Sequence, residues 1–181
     1  MKKLHMALLL MIVLGLMLTA CSGGNGGKNN DANDGSNNNT QQEDKAVEPT
    51  QTTKEMMDAM LAKVEQPALM ELQGDMLKQL YYLDAESLDQ YTIMTPLMNV
   101  KTNEVAIIKV KDAKDVATVE EAIKKRAGDV QKTFETYLQD QYENAKNYKL
   151  ITKGNYILFV IADSQDADKL VAEYETFFAQ K

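Results

Sequence analysis

Cys21 is the only cysteine of the chain, and Leu18, Thr19 and Ala20 precede it. An aliphatic residue, a small one, Ala and then Cys is the bacterial lipobox pattern. Cleavage before Cys21 would make it the first residue of the mature chain, with its sulfur acylated. The upstream sequence agrees. Lys2 and Lys3 supply a positive start, and the apolar run Met6–Leu18 is shorter than the ~20 residues a spanning helix needs. An uncleaved membrane anchor is the competing reading. One acyl chain holds a protein only marginally, but a diacylglyceryl group supplies two. The expected location is the outer face of the bacterial cytoplasmic membrane, with the lipid as the membrane contact.

Little else in the sequence suggests covalent chemistry. The only histidine, His5, falls in the segment expected to be removed. Ser87 and Ser164 then have no imidazole to activate them. A zinc site would normally use histidine or cysteine, and no glycine-rich phosphate loop is present. No catalytic residue, metal ligand or cofactor is assigned. Two acidic groups have regular spacing, Asp112/Asp115 and Asp163/Asp166/Asp168. Carboxylates so spaced could ligate calcium, but each group immediately precedes a helical pattern. There Asp is a strong N-cap, and a second acid suits the helix dipole. Gly23–Lys28 and Asp31–Gly35 lack the spacing and closing acid of calcium loops. Tyr137, Tyr142, Tyr148 and Tyr156 could form a ligand platform for carbohydrate or wall polymer. Packing inside the domain is the alternative fate of such rings.

Charge narrows the partners. The chain has 27 Asp and Glu against 20 Lys and Arg, a net charge of −7; without Lys2 and Lys3 the balance is 27 against 18, or −9. That excludes a nucleic-acid surface, which needs concentrated basic charge, and it disfavours lying on anionic lipid. Arg126 is the only arginine, which argues against an arginine-built phosphate clamp.

The chain divides into a signal peptide (1–20), a lipidated cysteine and Gly/Asn/Ser-rich tether (21–52) and one domain (53–181). The 31 residues after Cys21 have almost no apolar side chains and cannot offset chain entropy by burial. Their r.m.s. reach is roughly 30 Å, from ~5–6 Å × √n. A helix is expected over Thr53–Val64, capped by Thr53, with Met56, Met57, Met60, Leu61 and Val64 on one face. A methionine stripe of this kind is a core face rather than a soft-metal site. A second helix follows at about Gly74–Tyr82, with Met76, Leu77, Leu80 and Tyr81 inward.

Strands are expected at Tyr91–Thr95, Glu104–Lys111, Tyr148–Lys153 and Asn155–Ala162. The last two are joined tightly at Lys153-Gly154-Asn155. Asp112–Leu138 reads as a long helix with Val116, Val119, Ile123, Val130, Phe134 and Tyr137 recurring at helical spacing. A short helical piece spans Gln139–Asn147, and a closing helix spans Asp166–Phe178.

Tyr91–Thr95 and Tyr148–Thr152 echo each other, and each hairpin runs into an Asp and then a helix. The expected fold is α+β and two-layered: a four-stranded antiparallel sheet from two ββα units, order 1-2-4-3, with helices packed on it and N-terminal helices before it. Glu104–Lys111 and Asn155–Ala162 are apolar on both faces, so they should be central and the sheet's second face should also be covered. The Met-rich N-terminal helices are the expected cover; a partner or a second copy is the alternative.

The run Tyr91–Asp112 and the run Tyr137–Asp163, with Asp140–Glu143 and Lys153–Tyr156 inside it, resemble a family of Gram-positive bacterial lipoproteins described only as a domain of unknown function, DUF4358. The resemblance spans about Thr53 to Phe178. It implies a secreted, lipid-anchored domain and carries no catalytic residues to transfer. The sequence therefore leads to a tethered, non-catalytic binding domain whose partner is an envelope protein or a wall polymer. The alternative is a hydrolase of cell-wall or glycan substrates that works with carboxylates alone. Oligomeric state is open.

Overall fold

The computed structural model describes residues 48–179, so Leu18, Thr19, Ala20, Cys21 and the chain as far as residue 47 lie outside the described residues. Thr52 opens the first helix. Its hydroxyl accepts from the Glu55 amide, and the Glu55 carboxylate accepts from the Thr52 amide, a capping box. The cap is thus one residue earlier than expected. Thr53 is buried instead and shares a 3.0 Å hydrogen bond with Thr92. Helix α1 (Thr53–Lys63) is followed by a short strand β1 (Leu69–Glu71), helix α2 (Met76–Tyr81), strands β2 (Leu88–Pro96) and β3 (Glu104–Val110), and helices α3 (Val116–Phe134) and α4 (Gln139–Lys146). Strands β4 (Lys149–Lys153) and β5 (Tyr156–Ile161) and helix α5 (Ser164–Thr176) complete the domain.

The sheet is antiparallel throughout, in the order β1-β2-β3-β5-β4. The expected 1-2-4-3 order holds for the four long strands, with β3 and β5 central. The fifth strand is a correction. β1 has three residues, too few to show an alternating pattern, and only its pairing with β2 defines it. Two further bonds secure it, from the Leu72 amide to the Ile93 carbonyl at 2.8 Å and from the Leu97 amide to the Ala68 carbonyl at 2.9 Å. At the β4–β5 turn, Gly154 has φ 58° and Lys153 pairs with Tyr156. That leaves a two-residue loop with glycine first, the position where a positive φ favours it.

Register fixes which side chains share a face. Ala106 opposes Phe159 and Ile108 opposes Ile157 on one side; Val105 opposes Val160 and Ile107 opposes Leu158 on the other. The first set packs with Leu77 and Tyr81 of α2, Val119, Ile123, Ala127, Val130 and Phe134 of α3, and Ala145 of α4. The second packs with Met56, Met57 and Met60 of α1 and Ala167, Leu170 and Tyr174 of α5. The domain therefore has three layers rather than two. α1 covers the second face as expected, but α2 joins the first face and α5 joins α1. Width explains the sharing. Five strands at ~4.8 Å spacing make a sheet about 24 Å across, and a helix of ~10–12 Å covers about half of that. Lys63 of α1 and Glu173 of α5 close the second layer with an ion pair at 2.5 Å.

The two hairpin–helix units are not copies in space. A two-fold axis normal to the sheet would exchange the antiparallel neighbours β3 and β5 and leave α3 and α5 on one face. They lie on opposite faces. Smaller departures follow from helix ends. α3 stops at Phe134, so Tyr137 is exposed outside it rather than on its apolar stripe. Met76 is the first residue of α2, where Leu77 and Tyr81 take the buried face, and it is 42% exposed rather than inward.

Met57 is fully buried between α1 and the sheet. Met57→Ala should lower the unfolding free energy by about 2–4 kcal/mol through lost burial and a cavity, whereas Met76→Ala should change it by less than about 0.5 kcal/mol. Urea unfolding of both variants checks this; equal effects would mean α1 does not close the second face.

Candidate functional site

Three consecutive polar residues at the start of β3 are buried, and each grips a different part of the fold. The Thr102 amide donates to Gln141 Oε1 of α4 at 3.0 Å. Asn103 Nδ2 donates to Gln66 Oε1, just after α1, at 2.9 Å. The Glu104 side chain is 1% exposed and accepts from one edge of the Arg126 guanidinium with both oxygens, 3.0 Å from Nε and 2.6 Å from the terminal nitrogen. Tyr81 of α2 donates its hydroxyl to the same carboxylate. Arg126, 15% exposed, also lies 5.9 Å from the centre of the Tyr81 ring. This is a charge-assisted fork of the kind only arginine supplies. Burial, then the Glu104 carboxylate, pushes the Tyr81 phenol well above its ordinary pKa, so it stays a donor.

Both Glu104 oxygens are occupied by donors from α2 and α3, and the group is sealed from solvent. Its chemistry is that of a structural clamp. Sequence reasoning assigned neither residue. The available signal was Arg126 falling three residues after Ile123 and four before Val130, on the buried stripe of the helix.

The leading acid of each group caps, whereas Asp115, at the N-cap of α3, makes no side-chain cap bond. Asp163 accepts from the Gln165 and Asp166 amides, each at 3.2 Å, and Asp112 accepts from the Lys114 amide at 3.1 Å. Asp168 and Asp166 pair with Lys149 and Lys169. The four tyrosines do not share one surface. Tyr142 and Tyr148 pack against the first-face core, Tyr148 at 5.7 Å from the Phe159 ring. Tyr156 is buried on the second face, and only Tyr137 is exposed.

Besides the exposed Met70, Met76 and Tyr82, two features at opposite ends of β3 face solvent. The β2–β3 loop, just ahead of the clamp, displays Leu97 (60% exposed), Met98 (48%) and Val100. At the other end of the strands, Lys109 reaches Asp89 and Glu48, each at 3.0 Å, beside a cleft lined by Glu48, Tyr156 and Phe178. Asp89, then Glu48, hold the Lys109 ammonium above the ordinary lysine range. Glu48 and Asp89 are the two carboxylates brought together here, but both are held by the one Lys109 ammonium, 3.0 Å from each.

The arrangement is that of an α+β domain with an antiparallel sheet enclosed by helices on both faces. Residues 62–162 match the family model described as a domain of unknown function (DUF4358), and the chain belongs to that family. The matched segment is narrower than the resemblance suggested. It holds the whole sheet and α2, α3 and α4, and it leaves out α5 and nearly all of α1. No curated protein and no solved structure matches the chain.

Glu104→Gln leaves the guanidinium buried without its counter-charge and should cost about 3–5 kcal/mol. The triple replacement Tyr81→Phe, Glu104→Leu, Arg126→Leu removes the unpaired groups together and should recover most of that loss in the same unfolding assay. A triple variant as unstable as Glu104→Gln would show that the clamp matters for more than pairing.

The buried Tyr174 hydroxyl has no hydrogen-bond partner among the described residues, and burial, then Tyr156, raises its pKa. A raised folded pKa means that this stability is complete below the unfolded value of about 10 and lost as pH rises beyond it. Tyr174→Phe should therefore flatten the alkaline limb of a stability–pH curve while leaving pH 7 stability unchanged or higher. A loss above about 1 kcal/mol at pH 7 would show that the hydroxyl is satisfied.

Proposed function

We propose that this protein is an extracytoplasmic lipoprotein, anchored through Cys21, whose domain binds another envelope protein through the β2–β3 loop. One observation carries the binding assignment. In a domain whose sheet is covered on both faces, Leu97, Met98 and Val100 stand exposed together on one hairpin loop. Exposed apolar groups so clustered gain by burial against an apolar surface, which favours a protein over a polar wall polymer. Position supports the same reading. Glu48, where the tether would enter, pairs with Lys109 near the end of β3, and the loop lies beyond its start at Glu104. The five-residue rise from Glu104 to Lys109 separates the two by about 17 Å. The loop can therefore face away from the membrane. The acidic balance weighs against anionic lipid as the loop's target. The hydrolase alternative gains no support from Glu48 and Asp89, whose charges Lys109 already opposes.

The anchor is tested by Cys21→Ala, which should move the protein out of the membrane fraction or block its processing. Unchanged retention with normal processing would overturn it. The binding reading is tested by a photo-crosslinking residue placed at Met98 in the full-length chain in cells. One reproducible protein adduct, lost when Leu97 and Val100 are both changed to Asp, is the expected result. The absence of any adduct, or adducts that persist in that variant, would overturn the loop as the interface.

A further inference from the structure

At the end of the sheet remote from the loop, Glu48 and Pro49 fold over the β4–β5 turn. With Lys153, Gly154, Asn155, Tyr156 and Phe178 they line a cleft of about 250 Å³. The rings of Tyr156 and Phe178 meet edge to face at 5.5 Å. Glu48 fills a position that the sheet provides. Its carboxylate lies 3.0 Å from Lys109 Nζ, and that ammonium stands 5.2 Å from the centre of the Tyr156 ring. The two partners differ in setting. The Lys109 side chain is 19% exposed, whereas that of Glu48 is 69% exposed and belongs to the segment leading in from the tether. An anion seat is thus built into the domain, while its present occupant is a solvent-facing side chain held by a weak, screened pair.

We infer that this cleft binds a small ring-bearing monocarboxylate, and that Glu48 is its built-in competitor. The ligand's carboxylate replaces that of Glu48 beside Lys109, and its ring lies against Tyr156 and Phe178. Size sets the class. With Glu48 still in its wall the volume is below the ~300–1,000 Å³ of pockets for drug-sized ligands, and the space given up by one glutamate side chain leaves room for one ring with short substituents. Charge refines it. Asp89 keeps its own 3.0 Å contact with Lys109 and already matches its charge, so the seat takes no more than one further carboxylate, and a phosphate dianion would be repelled by Asp89. Because Glu48 and the ligand exclude each other, binding frees the last tether residues from the sheet, and tether docking weakens binding by the same factor. This site is separate from the apolar loop, so it stands or falls independently of the partner proposed there.

Two sources share this chemistry, a free aromatic acid and a carboxyl-bearing wall sugar. The test is a titration of the isotope-labelled full-length chain in detergent, read at the Gly154 and Asn155 amides by NMR. The probes are benzoate and N-acetylmuramate, with benzamide and N-acetylglucosamine as neutral controls. The expected result is a saturable shift with at least one acid and none with its neutral control. A response to benzoate marks the free acid as the source, and a response to N-acetylmuramate marks the wall sugar. Glu48→Gln removes the competitor and should tighten the apparent Kd by about threefold or more, the factor that follows if the seat is occupied two-thirds of the time or more. Lys109→Met keeps the stem over Tyr156 and should abolish saturation, with amide dispersion reporting that the variant is folded. If it does not fold, Glu48→Gln still decides. No shift with either acid, or an affinity unimproved by Glu48→Gln, would overturn the inference.

Discussion

A sheet whose central strands are apolar on both faces has no side it can leave in water. β3 and β5 place Ala106, Ile108, Ile157 and Phe159 on one face and Val105, Ile107, Leu158 and Val160 on the other, all buried. Each face must be covered, and a sheet about 24 Å wide needs about two helices on each side. This one requirement fixes the roles of the helices. It sends α1 back across the chain to lie beside α5, although 100 residues separate the end of the first from the start of the second. It also accounts for the methionines of α1. Their unbranched side chains fill the uneven surface that β-branched strand residues present.

The sheet's dry interior makes its polar exceptions informative. Thr102, Asn103 and Glu104 are buried where β3 begins, and their partners come from α4, the segment after α1, α3 and α2. Burying such groups is costly unless every bond is made. The bonds are made in only one relative placement of those four elements, so the cluster specifies the packing as much as it stabilises it. It also lies directly after the loop that carries Leu97, Met98 and Val100. The Lys101 amide closes that loop on the Met98 carbonyl at 3.1 Å. Apolar side chains held on so fixed a base lose less conformational freedom when they meet a partner.

The parts of this fold legible in the sequence are those written as periodic patterns. Two-sided apolar strands placed β3 and β5 at the centre and required a second cover. Methionines at helical spacing identified α1, and an amphipathic run identified α5, which starts at Ser164 behind the Asp163 cap, two residues before the expected Asp166. Features that depend on contacts between distant residues were not legible. β1 exists because Leu69, Met70 and Glu71 find an open edge on β2, and nothing in three residues announces that. The face chosen by α5 depends on the space left beside α1. The Glu104–Arg126 pair joins residues that local pattern reading treats separately, as a strand's first residue and a helix interior position. Of the tyrosine platform, only the residue types were legible. Burial then separated Tyr156 from Tyr142 and Tyr148 by the thickness of the sheet.

β3 carries two charged residues, and the contrast between them explains how one strand can serve both structure and exchange. Glu104 meets the planar fork of Arg126 and a tyrosine hydroxyl inside the first-face layer, where the carboxylate is 1% and the guanidinium 15% exposed. Lys109, five residues on and on the opposite face, meets two carboxylates that both reach it from solvent. The charges are equal in size, but the medium differs. Coulomb attraction at a given distance is several-fold stronger in a protein interior than in water, and the penalty for losing one partner rises with it. An interior pair is therefore fixed, and a pair at the surface can trade one carboxylate for another at little cost. The acidic composition sharpens the difference, because it sets carboxylates beside many of the surface lysines. Selection among them rests on what surrounds the seat, namely the Tyr156 and Phe178 rings and the volume enclosed by the β4–β5 turn.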